Sequence, residues 1–202
     1  MPTFDPETLT ARERYQLLTS LVVPRPIGWI STWSADHVPN LAPFSYFAAL
    51  SASPLLVGVS VGHRARGPKD TLVNLRARGA FCVNVVSVTL LEAMNATSAD
   101  VPPEVDEFRL AGLERAVSAV VDAPYVEGAP AVLECRVTQE VELHGAPNTL
   151  VIGRVVGIRV AEGLPFQEGT LAVDPRALRP VGRLFGAGYA LPGEVRVIPR
   201  PT

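Results

Sequence analysis

Lysine is almost missing from this chain of 202 residues: Lys69 is the single example, and every other fixed cation is an arginine. Histidine and cysteine are scarce too, at three and two residues. No CxxC pair and no His/Cys cluster occurs, which excludes a structural zinc site of the usual spacing. Cys82 and Cys135 each stand inside an apolar, strand-like run, as buried structural cysteines do; whether they pair is open at this level. The formal net charge is only −2, so there is no global field for nucleic acid or an anionic membrane. The segment 1–7 lacks the basic and apolar parts of a secretory signal. No run approaches the roughly 20 apolar residues of a membrane span. The expectation is a soluble, cytoplasmic protein whose partners are small molecules or a second copy of the chain.

Against these absences, 48% of the residues are apolar and only 19% charged, which favours one well-buried domain over residues 1–202. Asp5-Pro6-Glu7 and the capping pair Thr10 and Glu13 predict a first helix over about 6–20. Residues 27–33 and 38–47 read as a hairpin, whose return strand carries Pro39 and Pro43 and is therefore irregular or at an edge. A short apolar strand at 55–61 is followed by a helix over about 68–78, stopped by Gly79. Residues 80–87 form a strand interrupted by Asn84, whose amide needs a partner if buried. A short helix at 89–96 leads into a polar, acidic excursion at 97–109, and a short strand is expected at 117–121. Alternating apolar and polar residues at 131–143 pair with 150–160 across the loop 144–148. Glu134, Glu140 and Glu142 read as a solvated face. From about residue 170 the chain is loop-like, with one helical turn after Asp174-Pro175. Six or seven strands joined mostly by turns predict a mainly β protein, an antiparallel barrel with peripheral helices.

The most chemically suggestive stretch runs from Ser60 to Asn74. A strand ends, a basic Gly-containing loop follows, and Pro68 stands at the expected first helical position. Unpaired helix N–H groups, the positive end of the helix dipole, Lys69 and the Thr71 hydroxyl together describe an anion site, most plausibly for phosphate. The alternative is a solvent-exposed helix start with one surface lysine. Pro68 breaks the nucleotide P-loop spacing, and no Rossmann glycine fingerprint is present. His37, His63 and His144 all fall in turns or loops without a nucleophile partner, so a hydrolytic triad is not expected. Trp29 and Trp33 share a strand face, where packing explains them.

The ordered series Pro24-Arg-Pro-Ile27, Asn40-Leu-Ala-Pro-Phe-Ser45, Ser60-Val-Gly62, Lys69-Asp-Thr71 with Asn74, and Phe81-Cys-Val-Asn-Val-Val-Ser87 resembles the flavin reductase-like family of FMN-binding split barrels, the flavoredoxin type. The likeness continues through Met94-Asn-Ala-Thr97, Val105-Asp-Glu-Phe108 and Arg179-Pro-Val-Gly-Arg-Leu184. It implies a six-stranded antiparallel Greek-key split barrel, a homodimer, and FMN as cofactor. It also implies hydride transfer from NADH or NADPH, with electrons passed to free flavin, a metal complex or a partner oxygenase. The alternative on the same fold is a non-enzymatic FMN carrier. By the same likeness Lys69 and Thr71 hold the FMN phosphate. Asn40, Ala42, Pro43 and Ser45 line the isoalloxazine and ribityl chain, Ser60, Val61 and Gly62 close the other side, and Arg183 and Tyr189 approach from the tail or a second subunit. The tail departs from the family pattern where Phe185 precedes Gly186-Ala-Gly-Tyr189.

Overall fold

The run 5–21 resolves into two pieces in the computed structural model, which describes residues 1–65 and 67–201. A 3-10 turn at Pro6–Thr8 precedes helix α1 at Ala11–Leu21. The helix starts at the second of the two expected caps. Thr10 accepts from the Glu13 N–H through its hydroxyl, and the Glu13 carboxylate accepts from the Thr10 N–H at 2.8 Å, which satisfies two otherwise orphaned donors.

Seven strands follow one antiparallel sheet path: β1 Gly28–Trp33, β2 Pro39–Phe44, β3 Phe47–Ala52, β4 Leu55–Arg64, β5 Ala80–Asn84, β6 Ala131–Glu142 and β7 Asn148–Val160. Their order is β2-β1-β5-β6-β7-β4-β3. The two ends of that order, β2 and β3, are consecutive in sequence and separated only by Ser45 and Tyr46. The chain therefore steps from one edge of the sheet to the other in two residues, and the sheet must curl into a barrel that is split between β2 and β3. The path holds seven strands and not six, because 47–52 leaves the expected return strand at Ser45 and forms a strand of its own. The hairpin of β6 and β7 matches its alternation, with register shifts after Glu134 and Val137.

Apolar groups fill both sides of the central strands. Ile30, Phe44, Val61, Leu72, Phe81 and Cys135 belong to the cluster on one side, and Trp29, Leu41, Cys82, Met94 and Phe108 to the other. All residues of β1 and β5 are buried. The two cysteines thus fall in different clusters and are both free. Burial pushes the Cys82 thiol up to about 12 and raises that of Cys135 as well. The barrel closes tightly at Gly153, where a Cβ would lie 2.3 Å from the Phe81 ring.

Helix α2, Asp70–Arg78, crosses from β4 to β5 and ends at Gly79 with φ 64°. Its first residue is Asp70, with Lys69 as N-cap, and not Pro68, because Gly67–Pro68 pairs with His63 and Arg64 at the end of β4. The short helices α3 (Leu91–Ala96) and α4 (Glu107–Leu110) cover the second cluster. Further on, Arg115–Val117 pairs with Pro124–Val126, so the short strand expected at 117–121 lies earlier and has a partner. One turn, α5 at Pro175–Leu178, precedes the tail. Gly182–Arg183 pairs with both Arg25–Pro26 and Tyr189–Ala190, so the tail to residue 190 is part of the fold. Glu134 corrects the expectation of a solvated face: it is 2% exposed, accepting from Ser118 Oγ at 2.6 Å and Arg159 Nε at 2.8 Å. The register shift beside it and the missing side chain of Gly157 make the room. Arg66 of the basic loop lies outside the described residues.

Candidate functional site

The prolines of β2 sit where an edge strand tolerates them. Pro39, Leu41 and Pro43 alternate along β2 with Asn40, Ala42 and Phe44, and since the Leu41 N–H turns away from β1 to Glu107, the N positions of all three face the outer edge. The two prolines have no N–H to strand there, and Leu41 donates its own to Glu107 Oε2 at 3.1 Å. Every main-chain donor on that edge is accounted for.

At the split, Pro43, Phe44 and Ser45 form one wall of a cleft of about 440 Å³, together with Lys69, Arg183 and Tyr189. Lys69 is half-buried there. Among the described residues its ammonium makes no hydrogen bond or salt bridge; its Nζ lies 5.3 Å from the centroid of the Phe44 ring. Burial lowers its pKa and the neighbouring Arg64 lowers it further, against a smaller opposing effect of Asp100. Arg64 itself is matched by Asp70 Oδ2 at 2.9 Å and Asp100 Oδ1 at 3.0 Å. The first turn of α2 opens beside Lys69. Its carbonyl accepts from the N–H groups of Leu72 and Val73, whereas the N–H groups of Asp70 and Thr71 meet no acceptor among the described residues. An ammonium and two N–H groups, none with an acceptor among the described residues, stand together at the start of a helix, which suits an anion.

Thr71 is buried, and its hydroxyl donates inward to Asn40 Oδ1 at 2.8 Å. What Thr71 offers an anion is its main-chain N–H. Asn40 is also buried, directly behind the cleft wall, with its Nδ2 on Glu107 Oε1 at 2.8 Å. Ala42, half-buried, pairs with Ile30. The Val61 side chain is wholly inside the barrel. Ser60 donates its N–H to Tyr46 O at 2.8 Å and accepts from Asn148 Nδ2 at 3.2 Å, and Gly62 faces Asn148. Of the eleven expected residues, Pro43, Ser45, Lys69, Arg183 and Tyr189 therefore line the cleft; Asn40 and Thr71 are buried and bonded to each other; Ala42 lies in the same strand as Pro43; and Ser60, Val61 and Gly62 belong to β4, bonded to the 45–46 corner through Ser60.

The tail reaches the site as a small hairpin. The Arg183 guanidinium lies 4.5 Å over the Tyr189 ring and donates to Gly186 O, while the Tyr189 hydroxyl donates to Asn95 Oδ1 at 2.8 Å. Arg25 ties this hairpin to the cleft wall. It is 5% exposed, and its Nε donates to Ser45 Oγ at 3.3 Å, its Nη1 to Thr19 O and Val22 O, and its Nη2 to Leu184 O at 3.0 Å. Neither Arg25 nor Glu107 stood among the expected site residues, although both lie in quoted motifs. Apart from the carbonyls of Thr19 and Val22, their partners are far away in sequence: the Ser45 hydroxyl and Leu184 carbonyl for Arg25, the Asn40 amide and Leu41 N–H for Glu107, which no local spacing marks. Asn84 is a structural pin, donating to Trp29 O and Ser31 Oγ and accepting from the Val126 N–H. Among the described residues no group of His, Cys, Asp and Glu is placed to hold a metal ion, and no helix is long and apolar enough to cross a membrane.

Residues 20–182 match the model of the flavin reductase-like domain. An uncharacterized protein of Halalkalibacterium halodurans is 41% identical over 98% of this chain and 96% of its own length. Among solved structures, nitrilotriacetate monooxygenase component B from Bacillus cereus superposes with a TM-score of 0.93 at 35% identity, covering 98% of each chain. A split-barrel protein of Shewanella frigidimarina, 22% identical over 100% of both chains, shares the fold with a TM-score of 0.86.

Proposed function

The chain belongs to the flavin reductase-like family of split-barrel proteins, and from that premise we propose that it is an oxidoreductase that binds FMN in the cleft at the split. It takes electrons from NADH or NADPH and delivers them to free flavin, a metal complex or a partner oxygenase. The observation that carries this reading is Lys69, a half-buried ammonium with no acceptor among the described residues, set beside two N–H groups at the start of α2 that meet none there either. The redox chemistry is that of the bound flavin, which asks no acid, base or metal of the protein. Lys69 and the N–H groups of Asp70 and Thr71 hold the phosphate. Pro43, Phe44 and Ser45 present a rigid wall to the ring system, with Ala42 and Asn40 behind it and Ser60, Val61 and Gly62 completing the neighbouring strand. Arg183, laid on Tyr189, brings a cation to the opposite rim. The likeness to a monooxygenase component supports an oxygenase as acceptor.

The protein acts as a homodimer in this reading. Tyr15, Leu18, Leu21 and Val22 of α1 and its end are exposed, and sedimentation equilibrium tests the state. It is also read as cytoplasmic, which two free buried cysteines fit. The functional test is incubation of the purified protein with FMN, gel filtration, and stopped-flow mixing with NADH or NADPH. Bleaching of the retained flavin band by a nicotinamide is expected. No retained flavin overturns the reading. Retained flavin that only a partner protein reduces converts it to that of a carrier.

A further inference from the structure

Glu107 is 5% exposed, and no lysine or arginine pairs with it among the described residues. A carboxylate buried without a cation has to be held by donors. Here both oxygens accept: Oε1 from Asn40 Nδ2 at 2.8 Å and Oε2 from the Leu41 N–H at 3.1 Å. The direction of the Asn40 amide follows. Its NH2 faces Glu107, so its Oδ1 faces the other way, where it accepts from Thr71 Oγ1 at 2.8 Å and Thr32 Oγ1 at 3.4 Å. Thr32 Oγ1 in turn accepts from Asn74 Nδ2 at 3.0 Å. Asn40, Thr32, Thr71 and Asn74 are all buried. The result is a buried relay of one polarity, from α4 through β2 to the first two turns of α2.

We infer that Glu107 is a positioning residue: its carboxylate fixes the direction of the Asn40 amide, and through the Thr71 hydroxyl it sets the first turn of α2 that receives the flavin phosphate. The assignment rests on the functional reading above. Burial raises the Glu107 pKa, while hydrogen bonds from Leu41 and Asn40 oppose that rise, as expected of a carboxylate kept for its two donors. Polarity is what a neutral amide at 107 cannot supply. Its oxygen can take one donor, but its NH2 then faces the other, donor against donor. Moving the charge to position 40 restores the pattern. With Glu107→Gln and Asn40→Asp together, the Gln oxygen accepts from Leu41, its NH2 donates to the Asp, and the Asp still accepts from Thr71.

The test is fluorescence titration of FMN and riboflavin into the full-length apo-protein, for the wild type, Glu107→Gln, Asn40→Asp and the double variant, with thermal unfolding of each apo-protein. Glu107→Gln is expected to weaken FMN by about tenfold relative to riboflavin, the size of one charged hydrogen bond. Asn40→Asp alone sets two carboxylates face to face and loses at least as much. The double variant is expected to bind FMN, and to melt, above both single variants, which a role in filling space alone does not produce. Wild-type FMN affinity in Glu107→Gln overturns the assignment, as does a double variant no better than the worse single one. If Glu107→Gln does not fold, a double variant that folds and binds FMN supports the relay, and one that also fails to fold overturns it. A wild type that binds neither flavin removes the functional reading, and this assignment with it, before any variant is compared.

Discussion

Replacing Lys69 with methionine removes one charge from the site and keeps an apolar stem against the Phe44 ring, whose face the ammonium now covers at 5.3 Å. The expected loss follows from what surrounds it. The ammonium is half-buried and donates to nothing else among the described residues, so a phosphate oxygen gains a charge-assisted hydrogen bond without displacing one of theirs. Such a bond contributes about 1.5–3 kcal/mol, which corresponds to about 10- to 150-fold in affinity. Arg64 cannot take over, because Asp70 and Asp100 already hold it at 2.9 and 3.0 Å. Riboflavin has the same ring system and ribityl chain without the phosphate, so its binding reports everything else in the cleft. Fluorescence titration of both flavins at fixed ionic strength is the assay. The Lys69→Met variant should lose FMN affinity by the factor above and riboflavin affinity by little. Equal losses for the two flavins, or none for either, would refute the phosphate assignment.

The same lysine gives a pH dependence: its pKa is lowered by burial and then by Arg64, so the cation is lost as pH rises, earlier than for an exposed lysine. The preference for FMN over riboflavin should fall on the alkaline side in the wild type and stay flat in Lys69→Met; a preference that grows with pH contradicts it. Asn84→Leu leaves the Val126 N–H and the Trp29 carbonyl without the partner they now have at 2.8 and 2.9 Å, and urea unfolding should show a loss of about 2–4 kcal/mol, whereas a loss within about 0.5 kcal/mol speaks against the pin. Gly153→Ala drives a Cβ to 2.3 Å from the Phe81 ring and should cost about 1–3 kcal/mol, measured in the same way. Cys82, with its pKa pushed to about 12 by burial, should resist alkylation at neutral pH in the folded protein and react on unfolding; rapid reaction of the native state would contradict its placement.

Much of this architecture is legible in local pattern. The alternation through β6 and β7, the Thr10–Glu13 cap and the stop at Gly79 each depend on neighbours a few residues away, and each stands where its pattern places it. Pro39 and Pro43 mark β2 as an edge for a reason the backbone confirms. What local pattern cannot carry is a decision made at long range. The pairing of Gly67–Pro68 with the end of β4 moves the helix start from Pro68 to Asp70. The step from β2 to β3 across Ser45 and Tyr46 is invisible until the sheet curls. Glu134 looks like a surface acid because it shares its strand with Glu140 and Glu142 at even spacings, and Glu107 because it lies in a polar, acidic stretch. They are buried because Arg159 and Ser118 reach the one, and Asn40 and Leu41 the other, from distant strands and loops. For the cleft, Pro43, Ser45, Lys69 and Arg183 were readable through the ordered motifs, whereas the inward turn of the Thr71 hydroxyl depends on Asn40, 31 residues away.

A crystal structure of the protein with FMN tests the central claim most directly. The phosphate is expected within hydrogen-bonding distance of Lys69 Nζ and the main-chain N–H groups of Asp70 and Thr71, with the ring system against Pro43–Ser45 at the split. FMN bound with its phosphate away from the start of α2, or outside the cleft altogether, would contradict the account.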